Sequence, residues 1–365
     1  MQTMLQDESG HKHEHLWRRK NQVNPVGSVH GDILNIEIRE GRKIMVQHVT
    51  PEPDHCVSNG LFQAIKSTKS KSNIPPKCSY GCSSENIVID QIVTDSQTVN
   101  HAGNASSASS TNPVIFFIHG VGGSAKLWKH QVEYFYQENY EIVVPDLLGH
   151  GLSSAPKHKK AYTFSELSED MLVLFDAFAK EENILIGHSY GSSFCVKLAH
   201  ERSNQVSKVI LISGGGPQSL KPQPCQIFCL PAFILSCIKP MIVNGFIKRA
   251  FKDPSQQAKL DKNNSFNASA SVLHAMMNGQ DWAEGDRNYH AALNTPILLI
   301  YGTQDQFIGI DEEHEMIETI CDCRMKTVEA GHMVMLEAPY EVNELIDDFI
   351  NQHPSERVVQ RVPTF

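Results

Sequence analysis

From Pro113 onward the chain alternates short strand-like runs, VIFFI among them wholly apolar, with amphipathic stretches, and this alternation restricts the fold more than any other property of the sequence. The runs are VIFFI (Val114 to Ile118), YEIVV (Tyr140 to Val144), Ile184 to Ile186, Val209 to Ile212, Ile297 to Tyr301 and Met325 to Val328. A strand with no polar face must be covered on both sides, which is the situation in a parallel sheet. The intervening stretches carry helix signals. Ser124 to Glu138 reads as a helix, as does Gly191 to Glu201. Thr163 and Glu166 form a capping box ahead of a helix in which Leu167, Met171, Leu174, Phe175 and Phe178 recur at helical spacing. Pro339 to Ile350 opens with proline at a helix N-terminus and buries Val342, Leu345, Ile346 and Phe349. The expectation is an α/β fold with a mostly parallel sheet and helices on both faces.

Other parts of the chain read differently. Ile33 to Ile38 and Lys43 to Val49 flank Glu40 and Gly41 as a hairpin, which puts the first strands of the sheet at residues 31–50. Residues 51–112 are rich in Ser, Asn, Thr and Pro without a sustained period. They bury too little apolar surface to offset the entropy of ordering and are expected to be a disordered insertion, with one short strand within Asn86 to Val93. Residues 1–30 and 354–365 are expected to be flexible tails around a core at 113–353. His11, His13 and His15 alternate in HKHEH, a pattern read as a solvated tail and not as a metal site.

The strand and helix alternation lapses between Gly214 and Asn294. At about residues 217–292 stand IFCLPAFILSCIKPMIV, FIKRAF and SVLHAMMNG, helix-like and apolar but interrupted by Pro231 and Pro240. These are expected to be short cap helices over a hydrophobic pocket, with Phe228, Phe233, Leu235, Met276 and Met277 as candidate substrate contacts. The apolar run is not paired with a basic face, which disfavours dipping into a bilayer but leaves peripheral membrane contact open.

Bulk composition removes several classes of function. With Lys plus Arg at 32 and Asp plus Glu at 41, the net charge is −9, so nucleic acid is not an expected partner. Nine cysteines contain no CxxC pair of the kind that zinc or redox sites use, and they read as reduced thiols. The first twenty residues lack an apolar h-region, and no run of about 18 apolar residues could span a bilayer. A cytoplasmic chain is expected. The sequons at Asn104, Asn263 and Asn267 then read as chance matches, and Gln2 stands where myristoylation needs glycine. No cofactor is implied.

The chemistry concentrates in NILIGHSYGSS, where Ser189 lies between Gly187 and Gly191 at a passage from strand to helix. A serine on so sharp a turn adopts a strained backbone, and the turn closes only if the residues two before and two after it lack side chains. The hydroxyl then projects from the sheet edge at a helix N-terminus, whose dipole favours developing negative charge. A serine needs a base, and the base needs an orienting acid, in the chain order Ser, acid, His. Asp305 follows the strand ILLIY in GTQDQF, and His332 follows RMKTV in EAGHMVMLE. Ser189 is therefore the candidate nucleophile, His332 the general base and then acid, and Asp305 the group that orients the imidazole. The loop after the preceding strand, SGGGP, offers no competing acid.

An oxyanion needs two donors. One is the Tyr190 amide; the other is expected from HGVGGS after VIFFI, with Val121 first and Gly122 in reserve. HGVGGS lacks the lysine of a nucleotide-binding loop. PDLLGHGLSS, Pro145 to Ser154, reads as architecture in which Asp146 ties down a neighbouring loop.

HGVGGS, PDLLGHGLSS, GHSYGSSFC and EAGHMVMLEAP together resemble the α/β-hydrolase superfamily over roughly Asn35 to His353, the insertion excluded. The resemblance implies an eight-stranded sheet, a cap between strands six and seven, and a serine-hydrolase triad at Ser189, Asp305 and His332. Relatives credited with acyltransferase activity carry HxxxxD at the histidine, whereas five places after His332 this chain has Glu337. Ser189 also departs from the aspartate nucleophile of epoxide hydrolases and haloalkane dehalogenases. The expected activity is hydrolysis of an ester or thioester with an apolar, lipid-like acyl group. The alternative is an interaction or regulatory protein that retains the fold, with protein partners docking on the insertion.

Overall fold

The computed structural model describes residues 31–51, 86–88, 113–222, 227–253 and 268–352. Strands β1 (Asp32–Arg39) and β2 (Arg42–Val49) pair antiparallel across a turn in which Gly41 takes a φ of 69°, a region glycine enters without steric cost. Three residues of the expected insertion form β3 (Asn86–Val88), parallel to β1 at the sheet's edge. The remainder of that stretch and both tails lie outside the described residues.

The core strands are β4 (Val114–Ile118), β5 (Glu141–Pro145), β6 (Asn183–His188), β7 (Val206–Ile212), β8 (Ile297–Gly302) and β9 (Cys323–Val328). The sheet runs β3-β1-β2-β5-β4-β6-β7-β8-β9, so eight strands make the expected sheet and β3 adds a short ninth. Only the β1–β2 and β2–β5 pairs are antiparallel. All the other pairs, from β5 across to β9, are parallel, so the strands of this half end at one edge.

The apolar runs behave as two-faced strands should. Successive side chains of β4 point to opposite faces of the sheet. Phe117 meets Trp128 with ring centroids 5.1 Å apart, while Phe116 meets Phe175 at 5.1 Å. Trp128 closes a 3₁₀ turn at Ala125–Trp128 that leads into helix α1 (Lys129–Gln137), and Phe175 belongs to α2 (Phe164–Phe178). The two helices therefore cover opposite faces, and each buried aromatic side chain contributes about 1.5 to 3 kcal/mol. Thr163 accepts the Glu166 amide at the start of α2, as the capping pattern requires. Asp170 of α2 is fully buried and receives Nε of Arg39 at 3.0 Å and Nε of Arg42 at 2.7 Å, which fastens the N-terminal hairpin to the core.

Helix α3 (Tyr190–Glu201) follows β6 directly. Between β7 and β8 lie α4 (Ala232–Ala250), α5 (Ala270–Asn278) and the short α6 (Arg287–Ala291). Pro231 stands at the N-cap of α4, but Pro240 does not interrupt the helix, contrary to the sequence-based expectation. A helical proline deprives the carbonyl four residues back of its partner. Here that residue, Ser236, is exposed along with Pro240, and water can donate to its carbonyl in place of the missing amide. Beyond β8 come α7 (Ile310–Thr319), α8 (Val334–Glu337) and α9 (Pro339–Asn351). Among the described residues no helix is long and apolar enough to cross a membrane.

Candidate active site

Ser189 sits between the end of β6 and the start of α3 with φ 52° and ψ −125°, a conformation that costs a non-glycine residue on the order of 1 to 3 kcal/mol. The flanking glycines make it attainable. A Cβ on Gly191 would lie 2.2 Å from the Ile118 carbonyl oxygen, and one on Gly187 would lie 2.8 Å from the backbone of Gly191. Gly120, in the loop after β4, is pressed against the same turn: a Cβ there would approach Ser189 Cβ to 3.0 Å.

Asp305 and His332 come from the loops after β8 and β9, at the edge where β6 also ends. His332 Nδ1 lies 2.7 Å from Asp305 Oδ2, and both side chains are buried. A carboxylate accepts, so Nδ1 carries the proton and Nε2 is left as the basic nitrogen. The other carboxylate oxygen of Asp305 receives the amides of Phe307 at 2.7 Å and Ile308 at 3.1 Å. Burial pushes the Asp305 carboxyl up, but the hydrogen bond and charge of His332, with the two amides, outweigh it and hold the group below the usual carboxylate range. Ser189 and His332 line the same cavity. No hydrogen bond joins the hydroxyl to the imidazole in this structure; such bonds commonly close only when substrate is present.

Three histidines outside this trio organise the surrounding loops, and sequence reasoning assigned none of them a role. His188 Nε2 donates to the main-chain carbonyl of His332 at 3.0 Å, with the two rings 4.8 Å apart. His119 Nε2 accepts the Leu147 amide at 3.0 Å while its Nδ1 donates to the Gly120 carbonyl at 2.7 Å. His150 Nε2 accepts the Gly122 amide at 3.0 Å, and its Nδ1 donates to the Leu148 carbonyl at 3.1 Å. Burial disfavours the imidazolium in all three, which lowers His119 and His188 to about 3 and His150 to about 4. Each ring is thus neutral: His119 and His150 bridge two loop groups with one donor and one acceptor apiece, while His188 donates through Nε2 and its buried Nδ1 has no partner among the described residues. The visible signal of His119 and His150 was the pair of HG dipeptides, His119-Gly120 and His150-Gly151, in two glycine-rich loops.

The His150 bond bears on the candidate oxyanion donors. The Gly122 amide is already engaged, so the reserve donor is withdrawn. The Val121 and Tyr190 amides have no partner among the described residues, and both residues border the cavity beside Ser189. Asp146 holds the loop from below, accepting the Ala125 amide at 2.7 Å and the Leu152 amide at 2.8 Å. Glu337 accepts the Gly331 amide at 2.6 Å and the Lys252 amide at 2.9 Å, joining the histidine loop to the end of α4.

The cavity has a volume of about 380 Å³, within the range of small-molecule sites. Leu220, Phe228, Phe246, Met277, Phe307 and Met333 supply much of its apolar wall. Of the five cap residues expected to contact substrate, Phe228 and Met277 line it and three do not. Phe233 points outward, 71% exposed, because it occupies the solvent side of α4. Leu235 and Met276 are buried but border no part of this cavity; Met276 belongs to the main hydrophobic core. Helical spacing separated these neighbours: positions adjacent in sequence lie about 100° apart around the axis, so Met277 reaches the cavity while Met276 faces the core.

Residues 109–339 match the family model described as serine aminopeptidase, S33, a group of α/β-hydrolases. The chain belongs to the α/β-hydrolase family. Within that family it is 49% identical over 244 residues to protein ABHD8 of Mus musculus and 48% identical over 244 residues to its Homo sapiens counterpart. Each alignment covers 66% of this hydrolase-family chain and 56% of the relative, so the chain spans little more than half the length of the curated relatives it matches. Among solved structures, an esterase from Exiguobacterium antarcticum superposes with a TM-score of 0.61 at 16% identity, covering 88% of this chain and all of that one. The enol-lactonase of Burkholderia xenovorans LB400 superposes with a TM-score of 0.59 at 20% identity, covering 68% and 94% respectively. At such identities the likeness establishes the fold.

Proposed function

We propose that this α/β-hydrolase cleaves an ester or thioester of an apolar acyl group through Ser189. The observation that carries the reading is the 2.7 Å bond between the buried Asp305 carboxylate and His332, which lines the cavity onto which the strained Ser189 opens. In the proposed reaction His332 Nε2 takes the Ser189 proton as Oγ attacks the acyl carbon, and Asp305 stabilises the imidazolium. The carbonyl oxygen becomes an oxyanion, received by the Val121 and Tyr190 amides. The imidazolium then protonates the departing alcohol or thiol, leaving an acyl-enzyme. Water, deprotonated by His332, attacks the acyl carbon; the tetrahedral intermediate collapses, Oγ recovers its proton, and the carboxylic acid leaves.

The apolar wall favours a hydrophobic acyl chain, and the helical segment between β7 and β8 acts as its lid. Glu337 directs its carboxylate to the Gly331 and Lys252 amides, away from the cavity lining, which supports water over a second lipid as the acyl acceptor. A fluorophosphonate probe tests the reading: the folded wild type should be labelled and Ser189→Ala should not. An unlabelled wild type with an intact melting transition would remove it. Panels of p-nitrophenyl esters and acyl thioesters, read against Ser189→Ala, would then rank acyl length and leaving group.

A further inference from the structure

The wall of the cavity beside Ser189 is largely apolar, yet it includes two polar side chains, Ser193 and Gln280, that take no part in the proposed reaction. Ser193 stands one helical turn beyond Ser189, on the same side of α3, and Gln280 lies just past the end of α5. Both residues are half-buried. The Ser193 hydroxyl has no hydrogen-bond partner among the described residues. The Gln280 amide nitrogen reaches only Met277 Sδ, at 3.8 Å, and a thioether accepts weakly. Polar groups withdrawn from bulk water are ordinarily paired, so two nearly unspent ones in one apolar wall call for a ligand that pairs them.

The backbone that presents Gln280 is fixed on both sides. Before it, the Gly279 amide donates to the Met276 carbonyl at 3.0 Å, and the Gly279 carbonyl accepts the Phe164 amide at 2.8 Å. A Cβ on Gly279 would lie 2.5 Å from the Tyr162 carbonyl oxygen, so this turn is pressed against the chain leading into α2. After it, Trp282 and Leu220 exchange backbone hydrogen bonds at 3.0 and 3.2 Å, and Leu220 is itself part of the cavity wall. Trp282 also stacks on Phe164 with ring centres 4.5 Å apart. Gln280 is therefore held at the cavity by a rigid frame, which is the condition for a hydrogen-bonding group to discriminate between ligands.

The wall is also uncharged. No lysine, arginine, aspartate or glutamate lines the cavity among the described residues, and burial keeps His188 neutral. An ionised group seated there would lose its hydration without meeting a counter-charge. A purely alkyl group would displace water from Gln280 and Ser193 without replacing its hydrogen bonds. A neutral hydroxyl avoids both costs, because it donates and accepts as the carboxamide and the serine hydroxyl do. We propose that Gln280, with Ser193, selects substrates carrying an uncharged hydroxyl near the ester, on the alcohol or the acyl part, over plain alkyl and ionised ones. As a choice of substrate this rests on the hydrolytic reading of the same cavity; as recognition of a hydroxyl it is a binding property that can be measured without turnover.

The full-length Ser189→Ala protein is the reagent, and amides stand in for esters as calorimetric probes. The hydroxyethyl amide of octanoic acid is compared with the propyl amide, which puts a methyl where the hydroxyl was on the alcohol side. The propyl amide of β-hydroxyoctanoic acid is compared with that of β-methyloctanoic acid, which does the same on the acyl side. In one of the two pairs the hydroxyl compound should bind about tenfold more tightly, and that pair locates the hydroxyl. Gln280→Met keeps the side chain's length and should bring the ratio to about one, while Ser193→Ala should reduce it about threefold. Binding of the alkyl compounds and the melting temperature should stay as in the parent. No preference in either pair, or a preference that survives Gln280→Met, overturns the proposal. So does a trimethylammonioethyl amide of octanoic acid that binds as tightly as the hydroxyethyl amide. A hydroxyl preference in a protein whose wild type takes no fluorophosphonate label would remove the reaction and leave the recognition standing; labelling without the preference would remove the recognition alone.

Discussion

His188 donates its Nε2 proton to the main-chain carbonyl of His332 across 3.0 Å, linking the residue before Ser189 to the loop that follows β9. These residues are 144 apart in sequence, and the bond sets the height of the imidazole-bearing loop against the serine turn. His188→Ala should therefore lower kcat on a hydrolysed ester by about tenfold, the effect of losing roughly 1.4 kcal/mol of positioning, with KM changed far less. His188→Gln retains an amide donor and should recover part of the loss. Steady-state kinetics on both variants, beside their melting curves, distinguishes positioning from unfolding.

Acid should destabilise the protein well before its carboxylates titrate. His119, His150 and His188 sit at about 3, 4 and 3 in the folded chain against an unfolded value of 6.5. The unfolded state thus binds protons first as pH falls, and each histidine subtracts about 1.4 kcal/mol per pH unit below 6.5 until its folded value is reached. Urea midpoints measured at pH 7, 5.5 and 4.5 should drop steeply over this range. A flat profile would show that the rings are more hydrated than the structure has them.

Glu313 of α7 predicts the opposite slope. It is fully buried beneath the loop after β7, accepts the Gly215 amide at 3.4 Å, and has one carboxylate oxygen without a partner. Burial raises its folded value to about 7 from 4.5. Its contribution is most favourable below 4.5 and is lost as pH rises through 7, where the buried group must ionise. Glu313→Gln should accordingly raise the melting temperature at pH 8 by several degrees and change it little at pH 5.

The hairpin anchor gives a purely structural test. Asp170 is fully buried and Arg42 nearly so, and their bidentate pair also takes in Arg39. Asp170→Ala leaves a buried guanidinium uncompensated and should cost about 3 to 5 kcal/mol. Arg39→Ala, at a partly exposed position, should cost much less. Denaturant titrations of the two variants measure the difference.

Much of this molecule was legible without coordinates because the signals were local and repeated. Strand-like runs, most of them buried on two faces, and helices of matching period leave few folds open, and parallel strands of one sheet must end at one edge. That is why Ser189, Asp305 and His332, each just past a strand, could be grouped from the sequence. The Gly187 and Gly191 spacing likewise described a turn whose sterics are contained in a few consecutive residues. Where the reading relied on helical direction, it failed: Phe233, Leu235 and Met276 share the composition of Phe228 and Met277 but not their orientation. Pro240 misled for a related reason, since its cost depends on whether the orphaned carbonyl meets water.

The amino-acid sequence by itself determined the parallel sheet, the glycine-flanked serine turn and the chain order of the candidate site, all of which follow from period, size and backbone sterics along the chain. Tertiary structure alone decided which amides stay free: His150 engages Gly122, His188 holds the loop of His332, and Glu337 fastens that loop to α4. A hydrogen bond needs its donor and acceptor brought within about 3 Å, and for residues scores of positions apart only the packed chain sets that distance.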